Sequence, residues 1–181
     1  MIEAFIIERA VKTRQPTSFM TSIIKLFWCM YWQLESQKCY RLHMNVSLHL
    51  VECQHSGRPA WAQNDAMMAA YMDNMDYYYR VNDDTVMETT GWTEKFIDEL
   101  ERFNPPKVGV VGPWFREGNV VILTHDFVHR THIDILGFYY PRVFTDWFAD
   151  DWITGVYWPE RCRKVTAFVM LCFLLVTLPS Y

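Results

Sequence analysis

Tyr77 to Val81 is an unbroken run of aromatic and β-branched side chains around a single arginine, and it stops abruptly on Asn82-Asp83-Asp84-Thr85. Such a run suits a strand buried on both faces. The four residues after it suit a turn or a helix cap. Two adjacent carboxylates at the end of a buried strand then have two readings. In the first they close a turn. In the second they lie where open α/β sheets take ligands, outside the carboxyl ends of the strands. Their mutual repulsion is there relieved by a shared hard divalent cation.

The pattern on either side of that strand alternates. Ile2 to Ile7, Tyr40 to Cys53, Val108 to Pro113 and Val120 to Thr124 read as strands. Helices are expected from Thr17 or Ser18 to about Ser36, and over Ala60 to Asn74, Trp92 to Phe103 and Phe144 to Tyr157. His125 to Phe138 is mixed. Alternation of this kind argues for an α/β sandwich. With 181 residues the chain has length for one domain with a real core. Its five cysteines contain no CxxC pair, so buried free thiols are expected rather than a disulfide framework. Net charge is −4 and no Lys/Arg-rich run stands out, which excludes a general nucleic-acid binder.

The two ends read differently. Met1-Ile2-Glu3 lacks the basic start of a secretory signal. Arg161, Arg163 and Lys164 precede the uncharged run Val165 to Tyr181, giving a single domain over 1–160 and a basic, then apolar, tail over 161–181. Three forms are open for that tail: a membrane insertion through 165–181, a buried helix, or a segment outside the fold.

A second acidic pair, Asp150-Asp151, is set among Trp147, Phe148 and Trp152. Carboxylates among apolar rings should bind protons more tightly, which suits a general base. Trp147 and Trp152 offer flat faces of the kind that stack on sugar rings. The competing reading is an amphipathic helix with core aromatics and solvated aspartates. His125, His129 and His132 would share one face of a continuous helix and bind zinc there; loop and core histidines are the alternative.

Taken in order, these parts resemble the GT-A fold of nucleotide-sugar glycosyltransferases, most closely the family-2-like group. Gly57-Arg58-Pro59-Ala60-Trp61-Ala62-Gln63-Asn64 is similar to the Gly and Ala-Arg-Asn-like helix that precedes a strand ending on an acidic DxD-type motif, here Tyr77 to Asp84. Gly137-Phe138-Tyr139-Tyr140 resembles the family's acceptor segment, and Asp150-Asp151-Trp152 its acidic pair feeding a helix. The likeness spans about Val51 to Val156, with a fainter echo in Ile2 to Gln33. It implies an α/β fold with a GT-A-like mixed sheet flanked by helices, short of one N-terminal α/β unit. Asn82 stands where the family has its first carboxylate.

The same resemblance implies roles. Asp84 would ligate Mn²⁺ or Mg²⁺ on the donor diphosphate, and Asp83 would support the metal or the donor. Gln63 and Asn64 would lie near the donor. Asp150 or Asp151 would deprotonate the acceptor hydroxyl, with Trp147 and Trp152 binding the acceptor. The implied partners are a nucleotide-sugar, with a UDP-sugar favoured, and a glycan or other hydroxyl acceptor. A Golgi or secretory membrane setting is favoured, and Asn45-Val46-Ser47 would suit a lumenal chain as a glycosylation sequon. The alternative is a catalytically degenerate glycosyltransferase-like module that binds glycan or a partner.

Overall fold

The computed structural model describes residues 3–9, 23–29, 46–52, 55, 57–82, 85–115 and 121–171. In chain order the elements are β1 (Glu3–Arg9), β2 (Ile23–Cys29), β3 (Val46–Val51), α1 (Pro59–Met72), β4 (Tyr77–Asn82), β5 (Thr85–Met87) and α2 (Trp92–Glu101). There follow β6 (Val110–Phe115), β7 (Asp126–His129), α3 (Thr131–Leu136), α4 (Ala149–Tyr157) and β8 (Cys162–Leu171). The strands form one mixed sheet of eight in the order β3-β2-β1-β4-β7-β6-β8-β5. Among these strands only β2–β3 and β6–β8 run parallel; β4 is antiparallel to both β1 and β7.

Successive side chains of a strand point to opposite faces, and β4 shows what that does here. Tyr77, Tyr79 and Val81 enter one core with Phe127, Val111 and the buried side of α2, Phe96 and Leu100. Tyr78 enters a second core built with Ala66 and Met67 of α1, Ile133 of α3 and Ile153 of α4. Helices therefore cover both faces, which makes a layered α/β arrangement with β4 near its centre. Gly112 in β6 shows how tightly the sheet is packed. A Cβ there would run into the His125 carbonyl and lie 2.8 Å from Leu123 Cδ2. Gly112→Ala should cost about 1–3 kcal/mol, seen as a lower urea midpoint with an unchanged slope.

Several expectations are corrected. Residues Ile23–Cys29 of the expected N-terminal helix form β2; a short apolar run carries no decisive period, and its Ile, Phe and Trp favour a strand. Residues 121–124 are bends rather than a strand, and the strand begins two residues later as β7. The helix expected from Phe144 starts only at Ala149. Most of all, Cys162–Leu171 is not a tail. It is β8, inserted between β6 and β5, so the sheet continues well past residue 160. Val165 to Leu171, the first part of the uncharged run, belongs to that strand, and no described helix is long and apolar enough to cross a membrane. Residues 172–181 and the sequon residue Asn45 lie outside the described residues. Cys162 is a buried free thiol, as expected, and burial pushes its pKa up to about 11.

Candidate active site

Because β7 is antiparallel to β4, its first residue meets the last part of β4, and Arg80 is the register partner of Asp126. The two side chains are 7% and 0% exposed. A buried ion pair is tolerable only when further hydrogen bonds support it, and here three do. Arg80 Nε donates to Asp126 Oδ2 at 2.8 Å and Nη2 donates to the Thr124 carbonyl at 2.7 Å. The Tyr140 hydroxyl donates to Asp126 Oδ2 at 2.6 Å, and the Tyr139 hydroxyl donates to Oδ1. Burial, and then the Asp126 charge, raise the Tyr139 pKa well above its ordinary value, so the phenol stays protonated and donating. Asn64 of α1 completes the assembly by accepting the Tyr139 and Tyr140 amides at 2.8 and 3.3 Å.

Asp150 lies in the first turn of α4, on the same side of the sheet as this network. Its Oδ1 accepts the Asp151 N–H at 3.1 Å. Burial raises its pKa above the ordinary 3.8, and the nearby Arg80 charge works against that rise. Asp151 is exposed. The expected acidic pair is thus divided: one half-buried carboxylate that feels the interior cation, and one in solvent. Phe148, immediately before α4, has φ of 72°. An aromatic residue in the left-handed region is held there against steric cost, a feature common at functional sites.

The end of β4 is fixed from the other side. The Asn82 N–H donates to His125 Nε2 at 3.4 Å, and the Thr85 hydroxyl oxygen lies 3.2 Å from the same nitrogen. Burial, then the Arg80 charge, lower the His125 pKa well below 6.5, so a neutral ring with an accepting Nε2 is the stable form. His125 thereby joins the last residue of β4 to the first of β5. Asp83 and Asp84, the expected metal ligands, lie between them and outside the described residues.

The three histidines do not share a helical face. His125 precedes β7, His129 ends it and His132 lies in α3. His132 is fully committed: Nε2–H donates to the Tyr139 carbonyl at 2.8 Å and Nδ1 accepts the Tyr157 hydroxyl at 2.9 Å. Among the described residues no group of three or more His, Cys, Asp or Glu side chains is arranged to hold a metal ion. These histidines act on stability instead. Burial, then Lys107, lower the His129 pKa from 6.5 to about 4, and burial lowers that of His132. Such groups take up protons in the unfolded chain first. Their stabilisation is whole above pH 6.5 and is lost as pH falls from there toward about 4. Thermal melts should show a Tm that declines through that window, and His129→Gln should flatten the decline.

The other expected site residues divide in the same way. Gln63 and Asn64 are buried in α1. Asn64 Oδ1 accepts the Tyr139 and Tyr140 amides, so this side chain holds the segment 137–140. Trp152 is half-buried, with the rings of His132, Phe138, Tyr140 and Phe144 around it, so much of the indole is engaged in packing. Trp147 is 75% exposed and offers an open face of the expected kind. Arg80 and Asp126 have no role in the sequence reading, and His125 enters it only as a zinc ligand. A lone arginine inside an aromatic strand was the available signal, since a buried cation requires a counter-ion. The chain matches no protein-family profile, no curated protein and no solved structure.

Proposed function

We propose that this chain is a metal-dependent glycosyltransferase that moves a sugar from a nucleotide-sugar to an acceptor hydroxyl. The observation that carries the reading is Asp150: a half-buried carboxylate of raised proton affinity, on the face of the sheet that holds Arg80 near the acidic end of β4. That is the protonation behaviour a general base for a sugar hydroxyl requires. Asp83 and Asp84 offer oxygen donors only, a set that fits Mg²⁺ or Mn²⁺ better than zinc. Such a cation supplies charge neutralisation at the leaving diphosphate. The chain's own residues do the rest. His125 holds Asn82 and Thr85, which flank Asp83-Asp84 in the sequence, Asn64 and Asp126 fix the segment 137–140, and Asp150 takes the hydroxyl proton.

The test is calorimetric titration of UDP with and without Mn²⁺, on the native chain and on Asp84→Asn. Binding that needs both the metal and Asp84 is the expected result; folded protein that binds neither UDP nor GDP under any metal condition would refute the reading. The second reading, a module that kept the fold and lost the donor site, is favoured by Asn82 in place of a carboxylate and by the commitment of Asn64 to backbone amides. Glycan binding with no response to metal or nucleotide would select it.

A further inference from the structure

We propose that the loop of residues 141–148, together with Arg58, forms the acceptor platform and that the acceptor is an acidic saccharide. The inference deepens the glycosyltransferase reading and rests on it for the role of acceptor. Within six residues this loop exposes Val143 (79%), Trp147 (75%) and Phe148 (65%). Clustered exposed apolar side chains mark interaction sites, and these are not exposed because the loop is loose. The Thr145 carbonyl accepts the Ala60 N–H at 3.0 Å, the Arg142 carbonyl accepts Trp61 Nε1–H at 3.0 Å, and Asp146 Oδ1 accepts the Trp147 N–H at 2.7 Å. Phe148, at φ 72°, is held out against backbone preference directly before the helix that carries Asp150. Flat rings that leave their faces in water match the apolar face of a pyranose. Asp150 follows Phe148 by two residues, which brings a stacked sugar to the proposed base.

Charge complementarity narrows the ligand. The guanidinium carbons of Arg58 and Arg142 lie 4.3 and 5.6 Å from the centre of the Trp61 ring. Among the described residues neither forms an ion pair with a carboxylate. In a chain of net charge −4, two cations on one indole, where the nearby Asp65 is already taken by His55, leave a place for an external anion. Guanidinium forks grip carboxylate and sulfate groups bidentately. Exposed Asp146 and Asp151 on the same stretch disfavour a continuous anionic lipid surface, while a sugar chain with spaced charges is compatible with them.

The experiment uses the full chain and needs neither donor nor turnover. Hyaluronan oligosaccharides (carboxylate only), chondroitin sulfate oligosaccharides (carboxylate and sulfate) and neutral cello- and chito-oligosaccharides are titrated while tryptophan fluorescence and heat are followed. Anionic phosphatidylglycerol vesicles are tested in parallel by co-sedimentation. The expected result is binding of at least one acidic series. It should weaken about tenfold or more in Trp147→Ala, in Phe148→Ala and in the Arg58→Ala/Arg142→Ala double variant, all surface changes. Equal affinity for the neutral series, vesicle binding lost in the same variants, or no saccharide binding would each overturn the proposal. UDP–Mn²⁺ titration of the same samples separates the two claims. Nucleotide binding without saccharide binding removes the platform alone, and saccharide binding without nucleotide binding removes the transferase alone.

Discussion

Asp126→Ala should destabilise the protein by about 3–5 kcal/mol, the usual cost of breaking a buried ion pair by removing one partner. The size follows from what is left behind. Arg80, 7% exposed, would keep its bond to the Thr124 carbonyl and lose its counter-ion. The hydroxyls of Tyr139 and Tyr140 would lose the carboxylate that accepts them in the same step. Each buried group that loses this carboxylate adds part of its desolvation penalty. Replacing both charges, as Arg80→Met with Asp126→Leu, should cost less than the two single changes added together. No lone charge then remains, and the pair's coupling appears as the difference in a double-mutant cycle. Urea unfolding of the four proteins measures it. Additive losses would mean that the pair is not coupled as its geometry implies. The expected consequence for the site is larger than the stability figure suggests. Asp126 joins β4 and β7 to the segment 137–140, so a protein that still folds after losing it should bind substrate poorly.

The parts of the fold that were legible were those with a strong local signal: an Ala- and Met-rich run for α1, an amphipathic period for α2 and an aromatic run for β4. All three fall where those signals put them, within a few residues. What was missed lay in short apolar stretches, where strand and buried helix carry the same composition. Ile23–Cys29 and Cys162–Leu171 are the two cases, and both became strands because a growing sheet offered them partners. No local property of 162–171 announces that β6 will lie parallel beside it. The site shows the same division. The raised proton affinity of Asp150 agrees with the expectation from its aromatic neighbours. The same neighbours flank Asp151, which is exposed; the turn into α4, not local composition, decides which of the two is half-buried. The roles of Arg80, Asp126 and Asn64 were not legible, because each depends on a partner 46 or 75 residues away. The packing around Trp152 is hidden for a related reason. An aromatic ring beside a carboxylate looks the same in sequence whether four other rings surround it or none.

Asp150→Asn should lower kcat for sugar transfer by about 10²- to 10⁴-fold, the span typical for loss of a positioned general base. The amide keeps the shape and can still accept the Asp151 N–H, so the variant should fold. Its stability should hold or rise at neutral pH. The sign is set by the direction of the shift. Burial raises the Asp150 pKa, so the folded state disfavours the charged form, and that penalty is relieved either by acid or by the amide. Affinity for UDP with Mn²⁺ should not change, since the lost interaction belongs to proton transfer and not to donor binding. Asp151→Asn serves as the control; its carboxylate is in solvent, and kcat should stay within about twofold because an exposed group away from the network does not hold the hydroxyl proton. The pH profile carries the same assignment further. Activity should fall with acid as Asp150 protonates, at a pH above the ordinary carboxylate value of 3.8. In Arg80→Gln that limb should move to higher pH, because the charge that opposes the burial shift is gone. Equal losses in the Asp150 and Asp151 variants, or an acid limb that ignores Arg80, would take the base away from Asp150 and with it the main support for transfer at this site.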